Sequence, residues 1–339
     1  MPIRTLCLLL CLFASLAMQA EPGVQSMVVF GDSLCDAGNS VLWAEQYDGW
    51  INPTLVERPE LIPTFPWPYF GHRASNGPNW IEQIGQAYGY EVLPSLQGGI
   101  DYAFAGGESG AGLSDQYTPN FHLQIRMYRQ SLQEERIPEP DPHQLFVVWF
   151  GANDVQRALA ELNGPVDPEA FADELSQRII RNITQGVLFL HELKARTFLV
   201  PNLPPIQLTP YGASQSPEVR RLLVLVTQRF NASLDQALDQ LEKSHPRLII
   251  LRLDVATEFT NMVALPARYG FQNVLEPAFF LNGDGFAWNW DPEDMEHFDP
   301  NSFLSWDGFH PTTAAHLLLA HKAMEIAPFK SWWVNGRKP

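Results

Sequence analysis

The chain has 339 residues, of which 45% are hydrophobic, and its formal net charge at pH 7 is −16. That length suits one α/β domain that carries insertions. Because so acidic a chain repels nucleic acid and anionic headgroups at long range, and no basic stripe interrupts it, we expect no nucleic-acid partner.

Residues 1–20 have the layout of a secretory signal peptide. One positive charge, Arg4, precedes an apolar run at 6–16, and residues 17–20 (Ala-Met-Gln-Ala) form a small-x-small cleavage pattern. The run is too short to span a bilayer, and a retained membrane anchor is the alternative interpretation. We therefore expect a cleaved signal peptide and a secreted or periplasmic protein.

Four short apolar runs, each ending at turn-forming residues, predict buried parallel strands. These runs are residues 25–30, 145–150, 197–200 and 247–253. Amphipathic helical patterns at 168–194 and 217–243 lie between them, and a last one covers 312–326. Strands that alternate with helices predict an α/β fold of three layers, with a parallel sheet between two layers of helices.

Two stretches break this alternation. Residues 42–75 are rich in proline, and residues 279–299 are rich in Phe, Trp, Asn and Asp. We interpret both as irregular insertions in a single domain that spans 21–339. The second insertion is either a packed loop or part of an acyl-binding wall, since long loops often carry function.

Three residues at the expected carboxyl edge of the sheet suit nucleophilic catalysis. Ser33 directly follows the first predicted strand, although a serine after Gly-Asp is also a common turn. Asp307 and His310 stand three residues apart before the last helix, so the carboxylate can orient the imidazole. A turn-forming aspartate and a helix-capping histidine are the alternatives. We predict a triad with Ser33 as nucleophile and His310 as its base.

Asn153 and Gly106 are candidate donors to the oxyanion of an acyl-transfer reaction. Asn153 lies in residues 151–154 (Gly-Ala-Asn-Asp), directly after the second predicted strand, and its amide can donate a hydrogen bond. The N–H of Gly106 can do the same, because no side chain blocks the approach of a substrate. An ordinary turn residue is the alternative for Asn153.

Four blocks resemble, in order along the chain, the motifs of the GDSL lipases, also called SGNH hydrolases. They are residues 31–34 (Gly-Asp-Ser-Leu), the glycine of 105–107 (Ala-Gly-Gly), 151–154 (Gly-Ala-Asn-Asp) and 307–312 (Asp-Gly-Phe-His-Pro-Thr). The resemblance covers essentially the whole mature chain, including the landmark at 73–78. Within the family, the chain looks like bacterial secreted lysophospholipases, phospholipases A and glycerophospholipid:cholesterol acyltransferases.

The resemblance implies a flavodoxin-like SGNH-hydrolase domain with Ser33, Asp307 and His310 as the triad. It also implies an oxyanion hole made by the N–H of Ser33, by Gly106 and by Asn153. The implied reaction is cleavage of acyl esters of lipids, with acyl transfer to an alcohol as a further option. A carbohydrate O-acetyl esterase and a catalytically dead binding protein of this fold are the alternatives.

The partners expected from the resemblance are limited. We expect a lipid or other acyl-ester substrate, with room for transient contact with a membrane surface, and no obligate protein partner. No cofactor is implied, because acyl transfer by a triad proceeds without one, and the scattered histidines do not have the spacing of metal ligands.

Two features depart from the family pattern. Relatives usually have Asn where Asp101 stands, so its hydrogen bonding must differ or Asp101 must be protonated. Bacterial relatives often have a cysteine pair near the last block, and residues 281–305 contain none. Cys35 is the only cysteine beyond the signal peptide, and we interpret it as a buried small hydrophobe rather than a reactive thiol.

Overall fold

A computed structural model describes residues 26–46, 69–111, 118–141, 144–282, 285–289 and 297–326. The predicted signal peptide and most of the predicted insertion at 42–75 lie outside these residues. Within the described part of the chain, no helix combines the length and apolarity that a bilayer crossing needs.

A parallel sheet forms the centre of the domain. Its strands are β1 (Ser26–Gly31), β2 (Gln144–Trp149), β3 (Thr197–Pro201) and β4 (Ile249–Leu253), and they lie side by side in that order. Residues 100–104 continue the sheet beyond β1: the Val29 N–H donates to the Ile100 carbonyl at 3.0 Å, and the Tyr102 N–H donates to the Val29 carbonyl at 2.7 Å. The four predicted strands are confirmed, each to within two residues.

Helices follow the strands in the order expected for an α/β fold. They are α1 (Asn39–Gln46), α2 (Trp80–Tyr88), α3 (Phe121–Gln133), α4 (Ala152–Ala160), α5 (Pro168–Glu192), α6 (Pro210–Ser214), α7 (Pro217–Ser244), α8 (Val255–Ala264), α9 (Pro266–Tyr269) and α10 (Thr313–Met324). The long helices α5 and α7 begin as their sequences predict, since Asp167 and Ser216 accept hydrogen bonds from N–H groups of the first turns and proline follows each.

The two faces of the sheet bury different hydrophobic clusters. Alternate residues of β1 divide between them, because successive side chains of a strand point to opposite faces. Val28 and Phe30 pack with α3, α5 and α7, whereas Met27 and Val29 pack with α2 and α10. This arrangement confirms the predicted parallel sheet with helices on both faces.

The predicted irregular stretch at 279–299 is partly regular, which corrects that expectation. Strands β6 (Phe279–Asn282) and β7 (Gly285–Trp288) form an antiparallel hairpin, and β5 (Asn273–Pro277) pairs in parallel with β8 (Phe303–Ser305). Strands of three to five residues are too short to show a period in the sequence. The expectation for 42–75 is likewise wrong at its start, because residues 42–46 belong to α1.

Candidate active site

Ser33 lies in the turn that ends β1, at the carboxyl edge of the sheet. The N–H groups of Cys35 and Asp36 both donate to the Asp32 carbonyl at 3.0 Å, which closes the turn around Ser33. The N–H of Leu34 donates to Oδ1 of Asp32 at 3.0 Å. The turn therefore holds Ser33 at the rim of the sheet, where ligand sites form in this class of fold.

Asp307 and His310 lie in the loop between β8 and α10. Oδ1 of Asp307 accepts hydrogen bonds from the N–H of Phe309 at 2.7 Å and of His310 at 2.8 Å, so the loop wraps around its own carboxylate. Oδ2 lies 2.7 Å from Nδ1 of His310, and Nε2 of His310 lies 2.9 Å from Oγ of Ser33. The structure thus brings the three predicted residues into a continuous chain of hydrogen bonds.

The pKa shifts of Asp307 and His310 favour an ionised carboxylate that stabilises a protonated imidazole. Burial alone would raise the pKa of Asp307, but the adjacent His310 and the hydrogen bonds from His310, Tyr69 and the Phe309 N–H hold it below the ordinary value. Burial alone would lower the pKa of His310, but the charge and hydrogen bond of Asp307, and the charge of Asp32, raise it above 6.5. Asp307 is therefore ionised when His310 gains a proton.

The raised pKa of His310 predicts the acid limb of the pH profile. Because His310 accepts a proton only when it is neutral, kcat/KM for ester hydrolysis should fall tenfold per pH unit on the acid side. The midpoint of that limb should lie above pH 6.5, since the pKa is shifted upwards. Initial rates between pH 4 and pH 9 measure it, and a midpoint below 6.5 would contradict the contact between His310 and an ionised Asp307.

Hydrogen bonds join the predicted oxyanion donor Asn153 to the turn that holds Ser33 and to the loop of Gly106. Nδ2 of Asn153 donates to Oδ2 of Asp32 at 3.1 Å and to the carbonyl of Gly107 at 3.2 Å, so Asn153 bridges the loops that carry Ser33 and Gly106. Gly106 has a φ of 79°, which favours glycine at this turn. The N–H groups of Ser33 and Gly106 make no hydrogen bond within the described part of the chain.

Two buried side chains to which the sequence analysis gave no role hold these loops in place. The Asp154 carboxylate accepts from the N–H of Ser109 at 2.9 Å and from its hydroxyl at 2.7 Å. The amide of Gln124 accepts from the N–H of Gly31 at 3.1 Å and donates to its carbonyl at 2.9 Å. The last residue of β1 is thereby tied to α3, and the Gly106 loop to α4.

Asp32 is a second buried carboxylate at the site. Burial raises its pKa to about 6, against the lowering effect of the Leu34 N–H, of His310 and of the Asn153 amide, with Asp154 adding to the increase. Asp32 accepts one of the amide protons of Asn153. A substrate oxyanion that binds Asn153 must share that amide group with Asp32.

The two unusual residues near the site are explained by burial. Oδ2 of Asp101 accepts from the N–H of Ala37 at 2.7 Å, and Oδ1 accepts from the N–H of Ala103 at 2.9 Å. Both N–H groups therefore need acceptor oxygens at this position, which a carboxylate provides. Burial, and next Asp36, raise the pKa of Asp101 well above its usual range. Cys35 is fully buried, and burial raises the pKa of its thiol, as for a structural cysteine.

Tyr69 is the other residue at the site that the sequence reasoning missed. Its hydroxyl donates to Oδ2 of Asp307 at 2.7 Å, and its side chain is buried. It begins the 69–79 segment, which contains the landmark at 73–78. That landmark is the signal that could have drawn attention to this part of the chain.

An apolar pocket of about 60 Å³ lies behind the loop that carries His310. Its lining includes residues from the ends of β1 and β2, from α8 and from α10, among them Leu34, Trp149, Val255, Met262, Phe309 and Ala315. Leu34 is next to Ser33 in the chain, and Phe309 is next to His310. His316 also lines the pocket; burial lowers its pKa to about 3, with His310 adding to the effect, so its ring is neutral.

No metal centre is apparent in the described ranges. Among residues 26–46, 69–111, 118–141, 144–282, 285–289 and 297–326, no group of three His, Cys, Asp or Glu side chains is placed to hold an ion.

Comparison with known proteins adds to this geometry. A family model described as GDSL-like Lipase/Acylhydrolase matches residues 27–323. One GDSL esterase/lipase of Arabidopsis thaliana is 25% identical over 348 residues, covering 93% of this chain and 91% of the relative. A second from the same plant is 25% identical over 351 residues, covering 90% of this chain and 84% of the relative. These relatives are plant proteins, whereas the motifs suggested bacterial ones.

Proposed function

The chain belongs to the GDSL-like lipase/acylhydrolase family and is a serine ester hydrolase, and we propose that Ser33, His310 and Asp307 carry out its reaction. The observation that carries this assignment is the chain of contacts from Asp307 Oδ2 through both ring nitrogens of His310 to Ser33 Oγ, at 2.7 and 2.9 Å. Such geometry gives a nucleophile, its base and the group that orients the base.

In the proposed mechanism, Oγ of Ser33 attacks the acyl carbonyl carbon while its proton passes to Nε2 of His310. The carbonyl oxygen becomes an oxyanion that accepts hydrogen bonds from the N–H groups of Ser33 and Gly106 and from the Asn153 amide. The C–O bond of the ester then breaks, and His310 gives its proton to the departing alcohol. Water, activated by His310 in the same way, hydrolyses the acyl-enzyme and restores Ser33.

We propose that the substrate is an acyl ester of a lipid. The apolar pocket behind the His310 loop supports this proposal, because its walls offer almost only hydrocarbon and aromatic surface. Phe309, one of the lining residues, is 43% exposed and packs on Tyr211, with ring centroids 4.5 Å apart. A pocket of about 60 Å³ suits a short segment of an acyl chain.

The pocket predicts a dependence of activity on acyl-chain length. Ala315 lines it from the first turn of α10, so Ala315→Leu should fill part of it. We expect kcat/KM for hexanoyl esters to fall about tenfold or more, with little change for acetyl esters, since one lost methylene site changes discrimination by about 10–200-fold. A panel of p-nitrophenyl esters from acetate to palmitate, together with a lysophospholipid, measures this.

Ala314→Leu is the matched control, because Ala314 is the neighbouring residue on α10 and does not line the pocket. Equal losses for all chain lengths in Ala315→Leu would contradict an acyl-binding role for the pocket. Wild-type activity confined to acetyl esters would favour the carbohydrate O-acetyl esterase instead. Release of acyl product onto an added alcohol, rather than water, would identify acyl transfer.

Export and surface contact form the last part of the proposal. The charge and apolar run of residues 1–20 support cleavage that leaves Glu21 as the first residue of a secreted or periplasmic enzyme. The negative charge of the chain favours neutral over anionic lipid surfaces. N-terminal sequencing of the exported protein tests the cleavage, and an N-terminus at Met1 would overturn it.

A further inference from the structure

The carboxylate of Asp307 accepts four hydrogen bonds, and one of them comes from outside its own loop. Oδ1 is taken by the N–H groups of Phe309 and His310, and Oδ2 is shared between Nδ1 of His310 and the hydroxyl of Tyr69, each at 2.7 Å. Tyr69 is 238 positions away in the sequence. The same oxygen that orients the imidazole is therefore held from its other side by a phenol.

The proton of this hydrogen bond belongs to Tyr69. The pKa of Asp307 lies below its ordinary value, so its carboxylate is ionised and only accepts. Burial, together with the charge of Asp307 and the hydrogen bond to it, raises the pKa of Tyr69 well above its usual range. The hydroxyl therefore keeps its proton and donates it to Oδ2 throughout the working range of a serine hydrolase.

Aromatic packing fixes the ring of Tyr69. It lies edge-on to Phe279, with ring centroids 5.6 Å apart and planes at 80°, in a cluster that includes Phe303 and Trp306. Trp306 directly precedes Asp307. The ring is 2% exposed, so the phenol reaches Asp307 from a packed environment rather than from solvent.

The 69–79 segment is also joined to the loop that carries His310. The hydroxyl of Ser75 donates to the carbonyl of Pro311 at 2.9 Å, and Oδ1 of Asn76 accepts from the N–H of Thr313 at 2.8 Å. A Cβ on Gly77 would lie 2.7 Å from Cβ of Thr313, so the two segments are in close contact. Tyr69 and His310 are thus held in one rigid frame.

We propose that Tyr69 is a positioning residue of the active site: its hydroxyl holds Oδ2 of Asp307 in line with Nδ1 of His310 and draws part of the carboxylate charge away from the imidazole. The inference rests on the proposed triad. A residue that only filled space would not need a hydroxyl here, because a phenylalanine ring fills the same volume without a buried polar group to satisfy.

Removing the hydroxyl of Tyr69 should change the pKa of His310 in one direction, upwards. Without the phenol, Oδ2 offers its full charge to His310, which stabilises the imidazolium and raises the pKa of His310 further. The groups that face His310 are Asp307 on its own loop, Asp32 after β1, His316 on α10, and Tyr69 through Asp307. Only the contact of Tyr69 changes in a Tyr69→Phe variant.

The test is Tyr69→Phe, with Tyr128→Phe as the matched control. Tyr128 is 1% exposed, and its hydroxyl has no partner in the described part of the chain, so the control deletes an equally buried hydroxyl remote from the site. We expect Tyr69→Phe to lower kcat about tenfold with little change in KM, since the carboxylate of Asp307 loses the contact that holds it in line with Nδ1 of His310. The acid limb should move to higher pH by about half a unit to one unit.

The pKa of His310 is measured directly by following its Cε1–H resonance by NMR, identified as the signal missing from His310→Gln. The NMR measurement distinguishes the titration of His310 from that of Asp32, whose pKa is about 6. An unchanged pKa and kcat in Tyr69→Phe, or equal losses in Tyr69→Phe and Tyr128→Phe, would overturn the proposal.

A double-mutant cycle keeps the proposal testable if Tyr69→Phe also lowers stability. In an Asp307→Asn background, Tyr69→Phe should cost little further activity, because the phenol acts through the carboxylate. Additive losses would mean a purely structural role and would reject the proposal. Ester hydrolysis that survives Ser33→Ala would instead reject the triad itself, so the two failures are distinguishable.

Discussion

Ser33→Ala is expected to reduce kcat for ester hydrolysis about a millionfold while the protein remains folded. Removing the nucleophile leaves only the proposed oxyanion donors and substrate binding, and loss of the serine or the histidine of such a triad costs nearly as much as loss of the whole triad. For the same reason, adding His310→Ala to Ser33→Ala should cost little more. Hydrolysis of p-nitrophenyl esters measures the loss, and a fluorophosphonate probe should label the parent but not the variant.

Ser131→Ala is a suitable control for this variant. Ser131 is also buried, but its hydroxyl donates to the carbonyl of Met127 within α3, away from the three proposed catalytic residues. It should retain the activity of the parent to within about twofold, as expected for a change remote from the reacting groups. Substantial hydrolysis or fluorophosphonate labelling in Ser33→Ala would mean that another residue is the nucleophile.

Asp307→Asn should reduce kcat about 10⁴-fold with little effect on KM. The oxygen of the new amide is required by the N–H groups of Phe309 and His310, which places the NH₂ group opposite Nδ1 of His310. His310 must then carry its proton on Nε2 and cannot accept one from Ser33. The hydroxyl of Tyr69 also loses its acceptor.

Asp254→Asn tests whether any Asp-to-Asn change has this effect. Asp254 accepts from the N–H of Thr257 at the start of α8, a position where asparagine caps a helix equally well. Steady-state kinetics of the two variants should differ by orders of magnitude. A loss of less than about tenfold in Asp307→Asn would remove Asp307 from the catalytic unit.

The sequence was sufficient to predict the sheet and to single out Ser33, Asp307 and His310, because both predictions depend on local patterns. Buried parallel strands are short apolar runs, and a capping residue followed by a proline marks the start of both α5 and α7. The Asp307–His310 pair is also local, since three residues of loop suffice to fold the ring onto the carboxylate.

Tyr69, Gln124 and the β6–β7 hairpin could not be found in this way. Gln124 bonds to Gly31 across 93 positions and Tyr69 to Asp307 across 238, and neither residue type signals such a partner on its own. Each is specified by how whole elements pack rather than by periodicity. Contacts of this kind are visible only in the three-dimensional structure.

The hydrogen bond between Ser33 and His310 spans 277 positions, and the last helix packs on α2, near the start of the chain. Under the proposed mechanism, a ribosome-bound chain can therefore form β1 and present Ser33 early, yet it cannot hydrolyse an ester until α10 has left the exit tunnel. Catalytic turnover then reports on fully folded molecules alone. An esterase assay of a partly misfolded preparation therefore measures the fraction of chains in which Ser33 and His310 are in contact.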